Sequence, residues 1–154
     1  MSLLSQDNLR KKIRLFKNDN KLIVFTNGCF DLLHKGHKDL LNKASTYGDI
    51  LIVGINSDSS VKSIKGEDRP IEKEITRVDK LLKLAYVDYA IIFDSKTPEN
   101  IIRMITPDVL VKGGDYDLNN IIGAQYVIDN GGDVKIVPLT PGYSTTSIIK
   151  SNNR

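Results

Sequence analysis

The chain predicts an α/β domain built on a parallel sheet with helices on both faces. Five short apolar runs, at 21–26, 50–55, 87–93, 108–111 and 134–139, alternate with stretches whose apolar residues recur at helical spacing. The run 50–55 is continuously apolar, the pattern of a strand buried on both sides. Alternation of this kind favours parallel pairing through right-handed crossovers. A length of 154 residues suits one such domain over 1–154.

Taken in order, residues 3–18 read as an amphipathic helix, with Leu4, Leu9, Ile13 and Phe16 on one face, that serves packing. The first strand, 21–26, leads into Thr26-Asn27-Gly28-Cys29-Phe30-Asp31-Leu32-Leu33-His34-Lys35-Gly36-His37, which holds both histidines of the chain. Leu40, Leu41, Ala44 and Tyr47 follow at the spacing of one helix face. The two imidazoles therefore stand where a strand ends and a helix begins. Unpaired backbone N–H groups and the positive end of the helix dipole favour an anion there. Gly28 and Gly36 allow tight turns and close approach of a ligand, and paired imidazoles donate hydrogen bonds to phosphate oxygens. A metal site is the competing reading of His-x-Gly-His, but it would need carboxylates from elsewhere, since Cys29 is the one cysteine.

After the second strand, 50–55, Asn56-Ser57-Asp58-Ser59 offers helix-capping side chains at the strand's carboxyl end, where open α/β sheets place their ligands. Lys65-Gly66-Glu67-Asp68-Arg69-Pro70 is an exposed loop between two helices. Arg77 precedes Leu81, Leu82 and Leu84 on the next helix. The third strand, 87–93, leads to a helix over 99–105 whose start is capped from 94–98. The fourth strand runs into Lys112-Gly113-Gly114-Asp115-Tyr116, where paired glycines allow close backbone approach and Lys112 or Asp115 can bind phosphate or hydroxyl groups. A helix over 121–130 closes at Gly131-Gly132 before the fifth strand. Finally Ser144, Thr145 and Thr146 lead a short apolar helix, a composition that suits an N-cap or a phosphate cradle.

Composition narrows the function classes. A net charge of +3 without a long Lys/Arg block leaves no footprint for nucleic acid. A single cysteine excludes an internal disulfide and fits a reducing cytoplasm. No apolar run approaches the roughly 20 residues of a membrane span, and the N-terminus lacks a signal-peptide pattern. The expectation is a cytoplasmic protein with no membrane or nucleic-acid partner.

The string at 26–37 resembles the signature of the HxGH nucleotidyltransferase superfamily, Gly-x-Phe-Asp-x-x-His-x-Gly-His, at every fixed position. The resemblance implies a Rossmann-like order for the five-stranded sheet, with the site above the first and fourth strands. It also implies roles. His34, His37 and Lys65 would be catalytic. Thr26, Asn27, Gly28, Cys29, Phe30, Gly36, Arg77, Lys112, Gly113, Ser144, Thr145 and Thr146 would bind the nucleotide and its phosphates, and Asp31, Arg69 and Asp115 the acceptor. No resident metal is expected; Mg²⁺ would arrive with the nucleotide. The segments at 25–31, 54–61, 65–71, 107–116, 131–134 and 143–146 sharpen the resemblance to the bacterial heptose 1-phosphate adenylyltransferases. These transfer AMP from ATP to a sugar 1-phosphate and release pyrophosphate in making ADP-heptose for cell-surface glycans. A homodimer is implied too, and a separate sugar kinase upstream, because this chain has no room for a kinase domain. The alternatives are a cytidylyltransferase for a small alcohol phosphate such as glycerol 3-phosphate, and a catalytically silent nucleotide-binding domain.

Overall fold

In the computed structural model, which describes residues 2–114 and 117–138, six parallel strands form one sheet in the order β1-β4-β3-β2-β5-β6. The strands are β1 (Ser2–Leu3), β2 (Ile23–Gly28), β3 (Ile50–Asn56), β4 (Tyr89–Phe93), β5 (Val109–Gly113) and β6 (Asp133–Val137). The helices are α1 (Gln6–Asn18), α2 (Lys35–Ser45), α3 (Asp58–Lys65), α4 (Glu74–Leu82), α5 (Glu99–Ile105) and α6 (Ala124–Asp129). The fold class is the expected Rossmann-like one, with six strands in place of five.

The extra strand comes from the N-terminus. Ser2 and Leu3 pair with Tyr89 and Ala90 at the sheet edge, and Ser5 then caps α1 by accepting a hydrogen bond from Asn8 N. Helical spacing alone did not reveal that the first residues belong to the sheet. The segment at 121–130 also differs from a single helix: a 3₁₀ turn (Leu118–Asn120) precedes it, and left-handed Gly123 delays the start of α6. At α5, Pro98 takes the capping position without a side-chain cap.

Strand residues alternate between two cores. Ile23, Phe25, Ile52, Ile91, Phe93 and Leu110 pack on Leu9 and Ile13 of α1, Ile101, Ile102 and Ile105 of α5, and Val127 of α6. Val24, Leu51, Val53, Ala90, Val109 and Val111 meet Leu41 and Ala44 of α2 and Val78 and Leu81 of α4. Both faces being covered explains why the strands read as apolar runs without alternation. Gly54 sits where a Cβ would come within 2.8 Å of the Phe25 ring, so the central strands need glycine there.

Register is pinned at the amino edge of the sheet by aspartates standing just before the strands. Asp49 Oδ2 accepts from Leu22 N, Asp88 Oδ2 from Leu51 N, and Asp108 Oδ2 from Ile23 N. The chain runs β2, β3, β4 to one side and β5, β6 to the other, so the order reverses between β2 and β5. Open α/β sheets form their binding crevice at such a reversal, beyond the strands' carboxyl ends.

Candidate functional site

The carboxyl ends of β2 and β5 open into a cleft of about 140 Å³. It is lined by Asn27, Gly28, Cys29, Phe30, Asp31, His37, Leu40, Lys65, Lys112 and Gly113. The sequence reading gave a site role to all of these except Leu40, which it placed only on the packing face of the helix.

On one side α2 begins, and its first turn is closed by the histidines themselves. His34 is the N-cap, with extended backbone, and its Nδ1 accepts from Gly36 N at 3.1 Å and His37 N at 3.4 Å. His37 Nδ1 accepts in return from His34 N at 3.3 Å. This is a capping box made of two imidazoles. A ring nitrogen that accepts an N–H must carry its lone pair, so in each neutral ring the proton resides on Nε2, which is then a donor. The rings stack with centroids 3.7 Å apart, and the edge of Phe30 closes on His37 at 5.3 Å. Two stacked cations would repel, and protonation at Nδ1 would abolish each cap. Burial lowers the pKa of both; for His37, burial with the charges of His34 and Lys65 outweighs Asp31 and brings it to about 4. At neutral pH the pair is a fixed set of neutral donors beside a helix N-terminus.

Lys65, the last residue of α3, and Lys112, at the end of β5, supply the positive charge. Burial lowers the pKa of Lys112. Asn27 and Lys112 also line a second cavity of about 200 Å³, completed by Pro98, Leu110, Asn120, Ile121 and Ile122. The two spaces thus share a wall of one amide and one amine. The lining residues from 98 and 120–122 were missed in the sequence, because nothing in their local pattern says that those loops return to the β2–β5 junction.

Several expected contact residues have their polar groups committed within the fold, whether or not they line the cleft. Thr26 is buried, and its hydroxyl donates to Val111 O at 2.9 Å, stitching β2 to β5. Gly36 is buried in the first turn of α2. Arg77 is 1% exposed and donates to Glu72 O, Cys29 O, Asn56 O and the Asp58 carboxylate, so its guanidinium is committed to the fold. Asp31, also 1% exposed, accepts from Arg69 Nε at 3.0 Å, Ile71 N at 2.8 Å and Glu72 N at 2.9 Å. Burial would raise its pKa, but these bonds and the Arg69 charge outweigh burial and hold it below the usual carboxylate value. Burial raises the pKa of Cys29 despite the nearby cations, so it stands as a thiol and not a thiolate nucleophile. Asp115, Ser144, Thr145 and Thr146 lie outside the described residues.

A family model described as cytidylyltransferase-like matches residues 25–151. The chain is 48% identical over 151 residues to Bifunctional protein HldE of Marinomonas sp. (strain MWYL1), an alignment covering 98% of this chain and 32% of that protein. It is 46% identical over 146 residues to Bifunctional protein HldE of Hydrogenovibrio crunogenus, covering 95% of this chain and 30% of that one. The chain therefore spans less than a third of the length of either relative. Among solved structures, a lipopolysaccharide core biosynthesis protein from Thermoplasma volcanium superposes with a TM-score of 0.64 at 27% identity, covering 78% of this chain and 97% of that one. Pantothenate synthetase from Thermus thermophilus, at TM-score 0.66 and 14% identity over 97% of this chain and 70% of its own, shares the fold. With a match running from the central strand and its histidine signature to residue 151, the chain belongs to the cytidylyltransferase-like family.

Proposed function

We propose that the chain is a nucleotidyltransferase that moves AMP from ATP to a heptose 1-phosphate, releasing pyrophosphate and forming ADP-heptose. The observation that carries the reaction type is the imidazole capping box at the start of α2, whose His37 lines the same cleft as Lys65 and Lys112. Such a donor set suits phosphate oxygens. An oxygen of the acceptor phosphate attacks the α-phosphorus in line, the bond to the β-phosphate bridging oxygen breaks, and pyrophosphate leaves. Charge grows on the equatorial oxygens and on the leaving group as the α-phosphorus becomes five-coordinate. His34 and His37 donate from Nε2 to that charge, and Lys65 and Lys112 neutralise it. Donors fixed by the helix cap need no reorganisation during the step, which is where their advantage over water lies. The protonated Cys29 argues for direct transfer without an adenylyl-enzyme.

Mg²⁺ belongs to the substrate in this reading, offsetting triphosphate charge. The cleft offers one imidazole, one amide and two amines beside the single carboxylate of Asp31, and among the described residues no group of three or more His, Cys, Asp or Glu side chains could hold an ion. Ser144, Thr145 and Thr146 are proposed to grip the β and γ phosphates, and Asp115 to orient the acceptor. The heptose assignment rests on the motif resemblance, with the relatives' names in support. An acceptor already phosphorylated requires a sugar kinase activity upstream. A homodimer is proposed as the working form, and light scattering that gives a monomer at working concentration would remove it. No described helix is long and apolar enough to cross a membrane, in keeping with soluble substrates.

Pyrophosphate release from ATP and CTP, each offered with heptose 1-phosphate and glycerol 3-phosphate, tests the reading. Turnover is expected with ATP and heptose 1-phosphate. Robust turnover with CTP alone would replace it by the cytidylyltransferase reading, and no release from any pair would leave only nucleotide binding.

A further inference from the structure

We infer that Asp31, Arg69 and Arg77 form a clasp that positions Lys65 over the cleft, acting through the loop and not by contact with either reactant. The inference rests on the proposed nucleotidyl transfer and adds to it a group of positioning residues. Its starting point is strain: Phe30 and Leu32, on either side of Asp31, hold left-handed φ of 51° and 57°, which non-glycine residues rarely adopt. Such a backbone persists only where its surroundings over-determine it.

The surroundings are a second loop. Asp31 receives Arg69 Nε, Ile71 N and Glu72 N, and Glu72 Oε1 accepts Leu32 N at 3.2 Å in return. Arg77 adds the next tie, with Nη1 on Cys29 O at 2.8 Å and Asn56 O at 2.7 Å. Its Nη2 reaches Asp58 Oδ1 at 2.7 Å, and Asp58 and Glu74 exchange backbone-to-carboxylate bonds of 2.8 and 2.9 Å. Asp58 is the first residue of α3 and Lys65 the last.

Lys65 therefore hangs between two fixed points. The start of its helix is bolted to α4, and the chain after it is caught again at Arg69. Between them Gly66, Glu67 and Asp68 are exposed; Gly66 has φ of +111° and no atom within 4 Å of a would-be Cβ. Ahead of the arc α3 is anchored by buried Val61 and by Ser60 Oγ on Ser95 O, and within it Gly66 N donates to Lys62 O and Arg69 N to Gly66 O, so the outer tie on the exposed turn after Lys65 is the grip of Asp31 on Arg69, Ile71 and Glu72. Arg69 is the weaker member, since its Nη2 is buried without a hydrogen-bond partner among the described residues. Replacing it is correspondingly gentler on the fold than replacing Asp31.

The test uses the full chain and two independent readouts. Trypsin cuts after Lys65, whereas the Arg69–Pro70 bond resists it because proline follows. Asp31→Asn and Arg69→Gln are each expected to speed cleavage at Lys65 about tenfold while the far strands stay folded, because proteolysis follows local opening. In pyrophosphate release, each is expected to lower kcat about tenfold in the wild-type background and by less than about twofold when Lys65 is already Ala, the non-additivity of residues acting as a unit. An unchanged cleavage rate at Lys65, or losses that multiply in the Lys65→Ala background, would overturn the clasp; the latter would put Asp31 or Arg69 on a reactant. Should Asp31→Asn fail to fold, Arg69→Gln carries the same comparison. A wild-type chain without transferase activity would sink the proposed function, and the tryptic result would still decide the clasp.

Discussion

An imidazole that caps a helix through Nδ1 has little freedom left, and that constraint makes the histidines' role measurable. His37 is expected to titrate by NMR near its lowered pKa of about 4. A midpoint near the ordinary 6.5 would overturn the fixed neutral donor. The linkage sign follows from the same shift. Between about pH 6.5 and 4 the unfolded chain takes up the proton that folded His37 refuses, so stability is full above that window and declines as pH falls through it. His37→Asn should flatten that decline in denaturant melts collected across the window. For catalysis, His37→Ala is expected to lower kcat about 10²- to 10³-fold with a much smaller effect on ATP binding, the signature of a donor used in the transition state. A folded variant within about threefold of wild type in kcat would withdraw the role.

At the scale of elements, each central strand is held at its amino edge by a neighbour's aspartate. Asp108 illustrates the device: its side chain receives Ile23 N at 2.8 Å, while its own backbone N–H donates to Ile23 O at 2.9 Å. Asp108→Ala strands the Ile23 donor and is expected to destabilise by about 1–3 kcal/mol, the cost of a part-buried unsatisfied N–H. Chemical denaturation measures it. Activity per folded molecule should not change, since the residue lies at the edge opposite the cleft; an unchanged denaturation midpoint would show that the carboxylate does nothing for the register.

On the scale of the whole molecule, the reversal between β2 and β5 sets two spaces side by side, which we propose hold the two reactants. Lys112 belongs to both spaces, so Lys112→Met is expected to raise KM for ATP and for the acceptor alike, by roughly tenfold to a hundredfold if a charge-assisted hydrogen bond to each is lost. Steady-state kinetics with each substrate varied in turn checks this. An effect confined to one substrate would mean that the shared wall is not where they meet.

The fold class and the catalytic candidates were legible because each depends on local chemistry. Apolar runs of strand length announce a sheet covered on both faces, and a strand-loop-helix string with two histidines marks a candidate phosphate site through the N–H groups such a junction leaves open. What could not be read were consequences of distant segments meeting. Ser2 and Leu3 are a strand only because Tyr89 and Ala90 lie beside them. Thr26 and Arg77 carry residue types that suit phosphate, yet tertiary packing turns the hydroxyl to Val111 and surrounds the guanidinium with four acceptors. Asp31 sits in the histidine signature as a chemical group, but 38 residues separate it from Arg69, and only the folded chain makes the pair a clasp. Sequence determined which groups were available and what a strand-to-helix junction would do with them. The tertiary structure decided which groups line the cleft and which are committed to the fold around it, because a charged side chain such as Asp31 or Arg77 is buried only where partners replace its water.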